Sequence, residues 1–203
     1  AMPATQKMKR LILASSSPQR QQLLAEAGYP FDQMNPEIDE EQGACSGCGP
    51  AELVSSLALR KAADVVRRLD PVEAQRASIV IGCDTVAECG GEILGKPHNA
   101  EHAQKMLRRL SGQLHRVYSG LCVWPLESGI PTTRVEITQL RMDTLCERAI
   151  EDYLETNLWQ GKAGAFGYQD GPDWLHIEAG SVSNVVGLPL ELLEKMLVAA
   201  TPA

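Results

Sequence analysis

Nowhere in this sequence does an uninterrupted apolar run approach the ~20 residues that cross a bilayer, so no membrane-spanning helix is expected. Positive charge is also scarce. The 19 Lys and Arg stand against 26 Asp and Glu, a formal net charge of −7. That balance argues against a protein that follows nucleic-acid phosphates across a broad basic surface. An anionic substrate would have to meet cations gathered at one place. No leader is expected either: residues 1–7 carry no long apolar segment ahead of a small-residue cleavage site, and the apolar run at 11–14 is too short to be one. The expected compartment is the cytoplasm, with neither a membrane nor a nucleic acid as partner.

Half of a zinc site is present without its other half. Cys45 and Cys48 have C-x-x-C spacing, but no second such pair follows, and His98 and His102 lack the Glu that a zinc-protease motif places after the first His. A structural zinc takes four ligands, so the six cysteines are expected to be reduced, incidental thiols. A Walker A loop is absent too, as are internal repeats and any Pro/Gly/Ser linker. The expectation is a single domain over 1–203, with 1–8 a loose N-terminal tail.

What is present is an alternation of strands and helices. Residues 10–14 read as a buried strand, 18–27 as a helix stopped by Gly28, and 31–34 as a short strand. After a polar loop, Pro50 suits the first position of a helix reaching about residue 69. A second buried strand spans 78–83 and ends on Asp84. A turn follows at 89–92, then a helix capped by Asn99 and running to Leu110. Two β-rich stretches at 115–126 and 132–142 look antiparallel. Beyond them come a helix capped by Asp143 or Thr144 and reaching Asn157, a Gly-rich loop at 161–171, a strand-like run at 175–186, and a last helix opened by Pro189. The fold class is α/β: a mixed β-sheet with flanking helices.

Several segments carry chemistry. In the run at 13–20 a strand meets a Ser-rich turn and a helix beginning at Pro18; such an N-terminus suits a phosphate, with Ser15 as a donor and Arg20 as a fork. Taken alone, the segment reads better as a Ser N-cap beside a solvent-exposed Arg. Asp84, after an apolar strand, could bind Mg²⁺ or take a proton from water, or could simply open a turn. Lys96 is fixed by Pro97 close to Asp84 in sequence, although taken alone it reads as a surface Lys. The acidic loop at 37–41 offers hard oxygen ligands, or a solvated charge run. Lys61, among Leu57, Ala58 and Val65, could leave its helix toward a site or snorkel. In the Gly-rich loop, Gln169 presents a donor and an acceptor that suit a nucleobase edge.

In order and spacing these segments resemble the Maf family of nucleotide pyrophosphatases over residues 11–197. The resemblance lies in Leu-Ala-Ser-x-Ser-Pro-x-Arg at 13–20, Ile-Asp-Glu at 38–40, Arg-Lys-Ala at 60–62 and Gly-x-Asp-Thr-Val at 82–86. It continues through Ile-Leu-Gly-Lys-Pro at 93–97, Leu-Ser-Gly at 110–112, Lys-Ala-Gly-Ala-Phe-Gly-x-Gln at 162–169 and Asn-Val-Val-Gly-Leu-Pro at 184–189. It implies a Maf/ITPase-like fold with a deep central cleft, a homodimer, and hydrolysis of a nucleoside triphosphate to a monophosphate and pyrophosphate. It further implies that Asp84, Glu40 and Lys96 are catalytic, with Asp84 and Glu40 holding a divalent metal, Mg or Mn. By the same resemblance Ser15, Arg20, Lys61 and Lys162 bind substrate, and Gln19, Thr85 and Gln169 set its base. Thr85 and Gln169 match the branch that takes dTTP and UTP, whereas Gln19 stands where that branch has Arg. The 7-methyl-GTP branch matches less well. A nucleotide-binding regulator of septum formation with little turnover is the alternative from a different class, and an enzyme linked to restraint of cell division would combine the two.

Overall fold

The computed structural model describes residues 10–42 and 47–201. Its elements alternate as expected. β1 (Arg10–Ala14) leads to α1 (Pro18–Glu26) and β2 (Phe31–Gln33), then α2 (Pro50–Arg68), α3 (Pro71–Arg76) and β3 (Ala77–Cys89). Next come β4 (Glu92–Leu94), α4 (Ala100–Leu110), β5 (Leu114–Pro125), β6 (Thr132–Met142) and α5 (Glu147–Glu155). Two 3₁₀ turns, Ala163–Ala165 and Tyr168–Asp170, precede β7 (Leu175–Ala179), α6 (Val182–Val186) and α7 (Leu190–Ala199). No described helix is long and apolar enough to cross a membrane.

The strands form one seven-stranded sheet in the order β2-β1-β3-β5-β6-β7, with β4 paired to β3. β1 runs parallel to β2 and β3, while β3–β5, β5–β6 and β6–β7 are antiparallel. The continuous apolar runs of β1 and β3 are explained by helices on both faces of the sheet. Leu11, Leu13, Ile79, Ile81 and Cys83 pack toward Leu24, Leu193 and Met196. Ile12, Ala14 and Val80 pack on the other face against Ala58, Ala62 and Val65.

Two glycines set how closely α2 lies on the sheet. A Cβ on Gly82 would stand 2.1 Å from the Ala58 carbonyl oxygen, and one on Gly120 would stand 2.1 Å from that of Val54. Asp84 pairs with Gly120 across β3 and β5, so the close approach brings the next turn of α2 over Asp84.

Some boundaries differ from expectation. The strand placed at 78–83 does not end on Asp84; β3 continues to Cys89 because β5 pairs with it from Ile79 to Glu88. β1 stops beside it at Ala14↔Gly82, and β4 begins only at Ala87↔Leu94. One edge of β3 is therefore open around Asp84 and Thr85. The run at 175–186 is not one strand: Gly180 turns the chain at φ +115° and Ser181 caps α6 by accepting from the Asn184 N–H. Neither Asp143 nor Thr144 caps α5. The cap is Cys146, and the Asp143 carboxylate accepts from Arg141 at 2.5 Å and faces His176 at 3.0 Å. The short α3 was not anticipated, although Asp70 and Glu73 form a capping box around Pro71. Cys83, Cys89, Cys122 and Cys146 are free thiols as expected. Cys48 is disulfide-bonded, against expectation, and Cys45 lies outside the described residues.

Candidate active site

Strand alternation sends Asp84 and Thr85 to opposite faces of β3 at its open edge. On the α2 face, Lys61 is buried rather than snorkelling. Its Nζ donates to Asp84 Oδ1 at 2.7 Å and lies 2.8 Å from Glu40 Oε1. One ammonium thus gathers a buried strand carboxylate and an exposed loop carboxylate. Burial pushes the Glu40 carboxyl up, but the Lys61 hydrogen bond and the charges of Lys61, Lys96 and Arg20 hold it below its ordinary value.

The loop that carries Glu40 has no regular structure and is tied down by side chains. Arg60 donates to the Asp39 carbonyl at 2.6 Å, Asp64 accepts from the Glu37 N–H at 2.8 Å, and Arg68 donates to the Asn35 carbonyl. Asp64 is itself buried and held by Arg67 and Arg68. Sequence reasoning missed this strap. Its signal was an Asp on the apolar face of α2.

On the other face, Ser17 caps α1, as the plain reading had it, by accepting from the Arg20 N–H at 3.4 Å. Arg20, however, is not solvent-exposed. Its Nε donates to the Gly187 carbonyl at 2.7 Å, Nη1 to Ser15 Oγ at 3.3 Å and Nη2 to Thr85 Oγ1 at 3.1 Å. Three of five guanidinium N–H donors are then used, which leaves two for a ligand. Thr85 Oγ1 also meets Ser119 Oγ at 2.8 Å, and Ser119 is fully buried. Ser119 and the Gly187 carbonyl were not singled out in the sequence, although Gly187 lies inside the quoted motif at 184–189.

Two adjoining cavities open here and share Thr85 and Lys96. One is walled by Glu40, Asp84 and Lys96 together with Glu92, His98 and His102. The other is walled by Gln19, Arg20, Thr85, Lys162, Phe166 and Gln169. The expected specificity residues therefore share one cavity and the carboxylates share the other. Ser15 lies behind Arg20 and buttresses the turn by accepting from the Ser17 N–H at 3.1 Å. Gln19 accepts from Ser17 Oγ at 3.1 Å, so its amide nitrogen is the group left for a ligand. Lys162 donates to Asp170 Oδ2 at 2.6 Å. At the junction, burial lowers the Lys96 pKa, and repulsion from Arg20 and Lys61 adds to it against the pull of Glu40 and Asp84.

The site thus sets three cations beside two carboxylates, one of which lies in the sheet. An acidic chain can hold a polyanion this way, with positive charge concentrated where backbone and side chains have already taken it out of bulk water.

Residues 10–200 match the family described as Maf-like protein. A dTTP/UTP pyrophosphatase of Rhodopirellula baltica is 48% identical over 188 residues, covering 92% of this chain and 80% of that protein. A second dTTP/UTP pyrophosphatase, from Symbiobacterium thermophilum, is 42% identical over 94% of this chain and 93% of its own length. A nucleoside-triphosphatase (dITP/XTP pyrophosphatase) of Mycobacterium abscessus superposes with a TM-score of 0.45 at 13% identity, covering 95% of this chain and 98% of its own. With the match running through every element from β1 to α7, the chain belongs to the Maf family.

Proposed function

We propose that this chain hydrolyses the bond between the α and β phosphates of a pyrimidine nucleoside triphosphate, dTTP or UTP or a modified form, and releases a monophosphate and pyrophosphate. The observation that carries this reading is the meeting of Asp84 and Glu40 on Lys61 in a cavity that shares Lys96 with a pocket holding Gln169. The naming of both close relatives as dTTP/UTP pyrophosphatases supports the substrate class.

The residues fit a divalent cation. Glu40 and Asp84 are hard oxygen donors that converge on one ammonium, and Mg²⁺ or Mn²⁺ takes one or two carboxylates and completes its shell with water and phosphate oxygens. Glu40 and Asp84 would hold it, and it would supply charge neutralisation and a more acidic bound water. The remaining work falls to the chain. Arg20, Lys61 and Lys96 meet the charge that builds on the departing pyrophosphate. Asp84, rigid in the sheet, orients the attacking water and accepts its proton. No covalent nucleophile is required, and the thiols stay outside the chemistry. Gln169, Thr85 and Gln19 read the base, while Ser15 fixes the turn under Arg20 and Lys162 stands beside Gln169. The protein acts as a soluble homodimer in the cytoplasm.

The test is a panel of canonical and modified triphosphates assayed for pyrophosphate release with Mg²⁺ or Mn²⁺. Asp84→Asn is expected to lower turnover by at least about 10³-fold. Failure of the wild-type protein to release pyrophosphate from any member would overturn the enzymatic reading and leave a nucleotide-binding regulator of division in its place. A preference for 7-methyl-GTP would overturn the pyrimidine assignment alone.

A further inference from the structure

The Gly-rich loop runs through left-handed backbone that its glycines permit and that one alanine does not favour. Gly161, Gly164 and Gly171 adopt φ of +70°, +71° and +73°, and Ala165 joins them at φ +64° while fully buried. A left-handed Ala is disfavoured by its Cβ and persists only where its surroundings over-determine it. Here two ties do so. The Gly164 N–H donates to the Gly95 carbonyl at 3.0 Å, next to Lys96. Lys162 and Asp170, each side chain 11% exposed, close the loop on itself through their 2.6 Å ion pair.

Tyr153 of α5 joins that pair to the backbone. Its hydroxyl donates to Asp170 Oδ2 at 3.2 Å and accepts from the Gly167 N–H at 3.1 Å. Gly167 lies against the pair so closely that a Cβ there would stand 2.3 Å from Asp170 Oδ2 and 2.7 Å from Lys162 Nζ. Gln169 precedes Asp170 within one 3₁₀ turn and lines the cavity. The Lys162 ammonium therefore already has a carboxylate partner before any ligand arrives, and it lines the cavity of Gln169 and not that of Asp84 and Glu40.

We infer that the Lys162–Asp170 pair, braced by Tyr153, holds Gln169 at the base end of the cleft, which makes Asp170 and Tyr153 positioning residues for base recognition. The inference rests on the cleft being a nucleotide site. It assigns Lys162 to the geometry of the base pocket in preference to the phosphates. A loosened brace should weaken ligands that carry a base and spare those that are phosphate alone.

Calorimetry with UMP and with pyrophosphate, which needs no turnover, separates the possibilities. Tyr153→Phe keeps the ring and its packing and removes only the bridging hydroxyl. It should weaken UMP by about tenfold and leave pyrophosphate within about twofold. Asp170→Asn should do the same, with thermal unfolding followed because it leaves Lys162 without its partner. Combined with Gln169→Ala, Tyr153→Phe should add little further loss, since both act through one contact. Pyrophosphate binding that tightens in Asp170→Asn and weakens in Lys162→Met would make Lys162 a phosphate ligand and overturn the inference. Unchanged UMP affinity in Tyr153→Phe would overturn it as well. A wild-type protein that binds neither probe would overturn the nucleotide-site reading itself.

Discussion

The Lys61 ammonium and the Asp84 carboxylate form a buried ion pair at 2.7 Å, joining α2 to the one stretch of β3 that has an open edge. Burying two charges is favourable only when each is compensated. Glu40, 2.8 Å from the same ammonium and half exposed, adds a second carboxylate from the solvent side and leaves the trio with an excess of negative charge.

Removal of that cation has a specific consequence. Lys61→Met leaves Asp84 uncompensated in the sheet and should cost about 3 kcal/mol of stability, the scale for breaking a buried pair. Mg²⁺ should restore part of the loss, because a metal at Glu40 and Asp84 supplies the missing positive charge. Urea unfolding with and without Mg²⁺ checks this. A variant that Mg²⁺ fails to stabilise would show that the carboxylates do not form a metal site.

The pair also depends on a glycine that touches neither residue. Gly82→Ala puts a methyl group 2.1 Å from the Ala58 carbonyl oxygen and 3.0 Å from the Ala62 Cβ. Backbone cannot yield as a flexible side chain can, so α2 must lift from the sheet. The expected cost is about 2–4 kcal/mol, with turnover falling further than stability explains because Lys61 moves away from Asp84. Denaturant midpoints and pyrophosphate release, measured on the same preparation under folding conditions, separate the two effects.

How much of this was legible in the sequence follows from the range of each interaction. Local signals carried through: Pro50 opens α2, Gly28 ends α1 at φ +82°, and Asn99 caps α4 by accepting from the His102 N–H. The paired strands after residue 113 showed as antiparallel because their alternation is local. The site segments could be picked out by composition and by their order. What could not be read was partnership at a distance. Arg20 meets Gly187 across 167 residues and Lys61 meets Asp84 across 23. Only folding decides whether such a cation is buried and engaged or exposed. The length of β3 past Asp84 was hidden for the same reason, since it is set by pairing with β5.

His115 gives the fold a dependence on acid. It is buried and packs edge-to-face on Phe166 with ring centroids 5.2 Å apart. Burial pushes its pKa down from 6.5 to about 4, against the pull of the Gln113 backbone and Glu88. The unfolded chain takes up a proton near pH 6.5 and the folded one only near 4. Stability is therefore full above 6.5 and is lost as pH falls toward 4, by about 3 kcal/mol at the limit. His115→Leu should flatten that part of the stability–pH curve relative to the wild type. Equal slopes for the two proteins would show that another group is responsible.

The phosphate role proposed for Lys96 makes a prediction at the opposite end of the pH range. Burial first, and then repulsion from Arg20 and Lys61, holds its pKa below the ordinary 10.5, and Glu40 and Asp84 restore only part. A phosphate ligand needs the ammonium charged, so affinity must fall as pH rises past that lowered value. The alkaline limb of kcat/KM, which reports the free enzyme, should appear below pH 10.5. Bound nucleotide adds negative charge beside Lys96 and favours its protonated form. The limb in kcat, which reports the complex, should consequently lie at higher pH than the limb in kcat/KM. Lys96→Arg keeps its charge throughout this range and should abolish the kcat/KM limb even if it lowers the rate. A limb that persists unmoved in that variant would assign the titration to a different group, and with it the loss of phosphate affinity.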